Sequence, residues 1–450
     1  MIDREDNIVR HVAWSDLFPW VSIFRSFRVA ISLWVLLLAA AGLLLTLAGW
    51  TLFGWVFSAA PGNLALVGGG SDSPWQAAAR MVPDRPSLPG DWLPDPEAEV
   101  SPAGFRDPIF GPWAQLTAPA RLLLMNLELG VSGLAYLVLC GLWSLGVWGF
   151  VGGAITRMAA VQLASEERIG WVAAMRYAAS KWPSYVGAPL LPMLGVLLLA
   201  VPVAVLGLFL RFGVGIFLAA LVWPLALLAG LIMTVLLLGV VFGWPLMWST
   251  ISTEGSDSFD ALSRSYAYVF QRPLHYLFYA LVAAVLGALG WLLVSNFAAA
   301  VIWLAYWGAS WGAGGAQVSE IATLGEELSG IAYAGAVVLG FWAGLVKLLA
   351  AGYLYGYFWV AATAIYLLLR RDVDATEMDE VYLDEDAGEQ AFDLPPMQTD
   401  EAGAPVVADE EPTEIEQPDE KQPAEFQQED AEKPPQTDPS GEEDDEKAGA

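Results

Sequence analysis

Six stretches of this chain contain no Asp, Glu, Lys or Arg: residues 29–71, 129–156, 182–210, 212–253, 273–319 and 348–369. A charged side chain at the centre of a bilayer costs several kcal/mol, and a helix needs about 20 apolar residues to cross. Each run accommodates one crossing, so the sequence predicts an all-α polytopic membrane protein with six transmembrane helices. Their apolar cores fall at 29–59, 130–154, 186–210, 214–242, 274–304 and 348–369. Several are longer than a bilayer requires, which predicts tilt, kinks or half-helices.

The composition agrees once it is divided along the chain. Hydrophobic residues make up 56% and the mean hydropathy is +0.50, yet the formal net charge is −28. Residues 372–450 hold 29 acidic residues against three lysines, net −26, whereas residues 1–371 hold 20 acids and 18 bases, net −2. The expected organisation is therefore a six-helix transmembrane domain, 1–371, and a disordered acidic cytoplasmic tail, 372–450, too poor in apolar residues to form a core. Within the tail, residues 377–396 carry Val381, Tyr382, Leu383, Phe392 and Leu394 as anchors for a basic protein partner. An acidic chain of this kind has no nucleic-acid partner to expect; membrane lipids are the other expected partner.

Positive charge sets orientation. With the N-terminus inside, the inner segments hold Arg4, Arg10, Arg25, Arg28, Arg157, Arg168, Arg176, Lys181, Arg264, Arg272, Arg370 and Arg371, and the outer ones hold Arg80, Arg85, Arg106, Arg121, Arg211 and Lys347. Both termini are expected in the cytoplasm, with the chain in a bacterial inner membrane. The first apolar run is too long and too far from the start for a cleaved signal, so it should act as an uncleaved anchor. The outer segment 61–119 holds eleven prolines and is expected to form an irregular cap, with Trp75, Trp92 and Trp113 in the headgroup zone.

Three mixed segments precede crossings and read as amphipathic helices on the membrane surface, near 14–28, 166–183 and 256–272. In SFDALSRSYAYVFQRPLHYLF, 258–278, Phe259, Leu262, Tyr266 and Val269 recur at helical spacing, Asp260 and Arg264 lie four apart, and Arg272 and Pro273 mark the corner. In IGWVAAMRYAASKWPSYVG, 169–187, Val172, Met175, Ala179 and Trp182 repeat that spacing beside Arg176, with Pro183 at the corner. DLFPWVSIFRSFRV, 16–29, is a more degraded copy. Three repeats of interfacial helix plus helical hairpin account for residues 14–371. Arg176, Trp182, Arg264 and Arg272 are the candidate membrane-interface residues.

The segments FDALSRSYAYVFQRP (259–273), GGAITRMAAVQLA (152–164) and IYLLLRRDVDATEMDEVYLDED (365–386) resemble uncharacterised bacterial six-span membrane proteins and, more distantly, the membrane-anchor domain found beside glycerophosphodiester phosphodiesterases. The resemblance implies a membrane-organising or lipid-linked role and no catalytic residues.

Motifs for chemistry are sparse. There are two histidines, His11 and His275, no HExxH pair and no phosphate loop. GASWG at 308–312 matches a nucleophile elbow but follows a crossing rather than a strand. The single cysteine, Cys140, lies in an apolar run and reads as a small buried residue. No catalytic, cofactor-binding or metal-binding set is expected. Lys347 borders the last run: it snorkels to the outer boundary if the helix starts there, or points into the bundle if a helix runs on from about Ile331. In that second reading Lys347, Asn296, Tyr353 and Tyr357 line a polar cavity. The expected function is non-enzymatic, membrane-organising or lipid-associated; the alternative is a channel or permease for a small or lipid-like solute.

Overall fold

A computed structural model of the protein describes residues 18–57, 73–86, 107–125, 130–325 and 328–382, together with 398–399 and 405–406. The chain divides into two units, Met1–Leu383 and Asp384–Ala450. In the second, Gln398–Thr399 pairs antiparallel with Pro405–Val406; the rest of the expected disordered tail beyond 382 lies outside the described residues, as do Trp92 and residues 14–17 of the first expected surface helix.

The first unit is helical throughout. A 3-10 turn, Pro19–Ser22, leads into α1 (Ile23–Ala30), then α2 (Leu33–Phe57), α3 (Pro74–Ala79), α4 (Phe110–Leu116), α5 (Ala118–Met125), α6 (Val131–Ala164), α7 (Trp171–Ser180), α8 (Trp182–Phe209), α9 (Gly213–Glu254), α10 (Ser258–Gln271), α11 (Pro273–Ala313), α12 (Gly315–Thr323) and α13 (Gly330–Asp374). Six of these, α2, α6, α8, α9, α11 and α13, are long and apolar enough to cross a membrane. Their polar backbone is closed within each helix, the one arrangement besides a closed barrel that hydrocarbon tolerates.

Local chemistry explains the breaks. Gly255 ends α9 at φ 66°, a left-handed position glycine takes without steric cost. Asp257 then caps α10, its carboxylate accepting from the backbone N–H of Phe259 and Asp260 at 3.0 and 2.9 Å. Arg272 closes α10, and Pro273 opens α11, where its missing N–H costs nothing. Pro189, Pro192 and Pro202 lie inside α8, and Pro224 and Pro245 inside α9.

The second half of α13 is the axis of the bundle. From Ala350 to Arg370 every side chain is buried, enclosed by α2, α6, α9 and α11. The closest approach is to α2, where a Cβ on Gly352 would lie 2.7 Å from the Leu36 carbonyl oxygen and 3.1 Å from the Ala40 nitrogen. Trp148, Trp244, Trp248 and Trp359 fill the junction with α6 and α9; Trp248 stacks on Trp359 at 4.4 Å, and Trp244 meets both edge to face.

A short helix directly precedes the first, third and fifth long helices: α1, α7 and α10. Their packed faces mix small and bulky residues: Ala174, Tyr177 and Ala178 on α7, and Ala261, Ser265, Tyr268 and Val269 on α10. Large apolar residues such as Val172 and Phe259 (71% exposed) point away from the protein. The small positions let these helices lie close against the bundle, and Tyr177, Tyr268 and Val269 pack into it beside them.

Two expectations change. The last crossing does not begin at 348, because α13 is continuous from Gly330 and also runs past 371 to Asp374. The segment expected to cap the membrane is inserted into the bundle where it is described: Pro108 lies against Gly287 and Tyr357, Trp113 donates to the Val241 carbonyl at 2.9 Å, and Tyr355 bonds Gln115. Trp75 is half-buried, stacked on Phe341 at 5.0 Å and lying against Gly344.

Candidate functional site: an apolar crevice and a buried polar knot

A crevice of about 280 Å³ opens between α5, α6, α8 and α9. Its walls are Leu123 and Leu124 of α5, Leu137 to Trp148 of α6, Pro189 to Met193 of α8 and Leu237 to Trp248 of α9. Val138, Leu142 and Leu124 are exposed along its edge, so the crevice faces the surroundings of the spanning helices. Two of its polar side chains are satisfied locally: Thr117 donates to the Trp113 carbonyl at 2.7 Å, and Ser144 donates to the Cys140 carbonyl at 2.8 Å while accepting from Trp50 Nε1 at 2.9 Å. Arg121 differs. One guanidinium nitrogen donates to the Ala114 carbonyl at 2.9 Å, the side chain is exposed, and no carboxylate pairs with it among the described residues.

The opposite, arginine-rich end of the bundle carries a buried polar knot. Here α9 ends in Ser249, Thr250, Ser252 and Thr253, all fully buried, followed by Glu254. Ser252 Oγ shares hydrogen bonds with Thr156 at 2.6 Å and Tyr185 at 2.7 Å. Arg157, 5% exposed, donates to the Ser252 carbonyl at 2.7 Å and lies over the Tyr177 ring at 4.2 Å. Glu254 accepts from Tyr366 and pairs with Arg264 at 2.8 Å and Arg370 at 3.7 Å. Partial burial works against the Arg264 charge, but the Asp260 hydrogen bond and the Glu254 and Asp260 carboxylates outweigh it and raise its pKa above the ordinary arginine value.

Arg370 extends the knot to the chain that follows α13. It donates to the carbonyls of Glu377 and Glu380 at 2.9 and 2.6 Å, and the Tyr382 N–H donates to the Thr253 carbonyl at 2.8 Å. Residues 375–382 are thereby held against the ends of α9 and α13. Buried polar groups demand partners, and in the knot Thr253 Oγ1 and Arg370 Nε are the atoms left without one among the described residues.

The chain matches no known protein-family model, curated protein or solved structure.

The residues singled out from sequence divide accordingly. Arg264 belongs to the knot; Arg176 and Arg272 are exposed, Arg272 as the corner between α10 and α11. Trp182 is half exposed and donates to the Gly146 carbonyl at 3.0 Å, which fastens α8 to α6. Among the described residues, Lys347, Asn296, Tyr353 and Tyr357, which the alternative reading grouped around a polar cavity, each bond to a different partner. Tyr353 donates to the Gly287 carbonyl at 3.4 Å, Tyr357 to the Ala283 carbonyl at 2.9 Å and Asn296 to the Leu292 carbonyl at 2.8 Å. Lys347, with its side chain 14% exposed, pairs with Asp84 beside α3. Ser310 of GASWG is exposed and donates to the Trp307 carbonyl of its own helix. Sequence reasoning missed Arg157, Glu254, Tyr366 and Arg370 as one cluster. The signal was present in STISTE, 249–254, a polar run at the end of an otherwise apolar helix.

Proposed function

We propose that this protein is a non-enzymatic, lipid-associated organiser of a bacterial inner membrane, with both termini and the arginine-rich end on the cytoplasmic side and the acidic tail recruiting a basic partner. The observation that carries the reading is the crevice: a membrane-level cavity with apolar walls, whose natural occupant is a lipid chain. Polar groups within the spans favour this over passage of ions or polar solutes, since Tyr353, Tyr357, Asn296, Thr46 and Ser144 hydrogen-bond to helix backbone. Placement of α1, α7 and α10 before alternate long helices supports three repeated units, each with a surface helix that grips one leaflet through residues such as Val172 and Phe259.

The test is lipid retention set against solute flux. Protein purified in detergent should retain bilayer lipid through delipidating washes and give no solute flux in sealed liposomes. Flux that falls on Lys347→Ala would establish the permease reading instead. Deletion of 384–450 should remove a co-purifying partner; partners that remain would defeat the recruitment part.

A further inference from the structure

We infer that the crevice binds one acyl chain of an anionic phospholipid and that Arg121 takes its phosphate. This inference rests on the lipid-associated reading and adds the headgroup class and the residue that selects it.

Three observations converge. The first is chemical: the walls present leucine, valine, methionine and proline, and an apolar cavity of this kind excludes water. The second is dimensional. Lining positions on α6 run from Leu137 to Trp148, about 17 Å of helix, close to half of a hydrocarbon layer about 30 Å thick and so to one leaflet's chain. The third is the placement of charge. Leu137 lies about 30 Å along α6 from Arg157, so the two mark opposite boundaries of the hydrocarbon. Arg121 lies at the Leu137 boundary, on α5, whose Pro119 contacts Gly141 and whose end is five residues from the start of α6.

Arg121 suits a phosphate. A guanidinium offers five donors in a planar fork, and the one committed to Ala114 leaves others for two phosphate oxygens. Its exposed position lets a headgroup stay wet while one chain enters between α6 and the α8–α9 hairpin. A zwitterionic choline headgroup would bring its own cation to the same place and weaken the attraction.

The experiment titrates delipidated full-length protein with dioleoyl phosphatidylglycerol or dioleoyl phosphatidylcholine and reads bound lipid by native mass spectrometry. Wild type should retain phosphatidylglycerol about tenfold more tightly than phosphatidylcholine, the scale of one charge-assisted contact. Arg121→Ala should reduce that preference to near unity with the thermal midpoint unchanged. Val138→Trp, which adds bulk at an exposed lining position, should weaken both lipids. Equal retention of the two lipids by wild type, with both lost in Val138→Trp, would overturn the headgroup assignment and leave lipid association standing. Unchanged phosphatidylglycerol selectivity in Arg121→Ala would overturn the role of Arg121. Failure of wild type to hold either lipid would overturn this inference and the lipid-associated reading together.

Discussion

Replacing Glu254 with alanine should loosen the arginine-rich end of the bundle. Arg370 is 4% exposed, and Glu254 is its carboxylate partner at 3.7 Å, with that side chain only 15% exposed. Removing one partner of a buried pair costs about 3–5 kcal/mol, because the remaining charge stays desolvated. Arg370 keeps the carbonyls of Glu377 and Glu380, which points to the lower part of that range. The Tyr366 hydroxyl also loses its acceptor, a cost of about 1 kcal/mol, whereas Arg264 is exposed enough to rehydrate and adds little. The sum is about 4 kcal/mol, which lowers the thermal midpoint by about 8 °C if a large unit shifts about 2 °C per kcal/mol. Tryptophan-fluorescence melts in detergent measure the midpoint, and amide exchange measures residues 375–382, which should lose protection as their clamp weakens. The pairing with Arg370→Met decides the mechanism: the double variant should be more stable than the summed single losses by about 2 kcal/mol, because an apolar side chain tolerates the vacated site. A midpoint within about 2 °C of wild type for Glu254→Ala, or single losses that simply add, would refute the account of a coupled buried pair.

Asp84→Ala should destabilise more than Lys347→Met in the same melts, since the first strands a largely buried ammonium and the second removes it. Gly352→Ala should cost about 2 kcal/mol or more, as the new Cβ meets α2 backbone that cannot yield, while Gly308→Ala, where the Cβ meets nothing, should be neutral or slightly stabilising. Tyr357→Phe should cost about 1 kcal/mol through the lost bond to the Ala283 carbonyl and leave liposome permeability unchanged. Asp107→Ala should cost about 1 kcal/mol through the lost cap on α4, whose first N–H groups it accepts from at 2.6 and 3.0 Å.

The number and order of the long helices followed from local composition. A run without charges has one stable fate in hydrocarbon, so the six helices and the corner at Arg272 and Pro273 were legible without any knowledge of neighbours. So were three of the short helices, α1, α7 and α10, whose mixed spacing needs no partner to be recognised; α3, α4, α5 and α12 were not. The packed face of each short helix was only partly legible: of the apolar positions at helical spacing, Val172 and Phe259 are exposed while Val269 is buried, and Ala174, Tyr177, Ala178, Ala261, Ser265 and Tyr268 pack inward as well. The crevice and the knot also join residues far apart in the chain, such as Tyr177 with Ile251 across 74 positions and Trp113 with Val241 across 128. Lys347 shows the division most plainly. Its place in the chain announced a buried or bordering charge, but its partner, Asp84, lies 263 positions away, and only the folding of the outer segment onto α13 brings the two charges together.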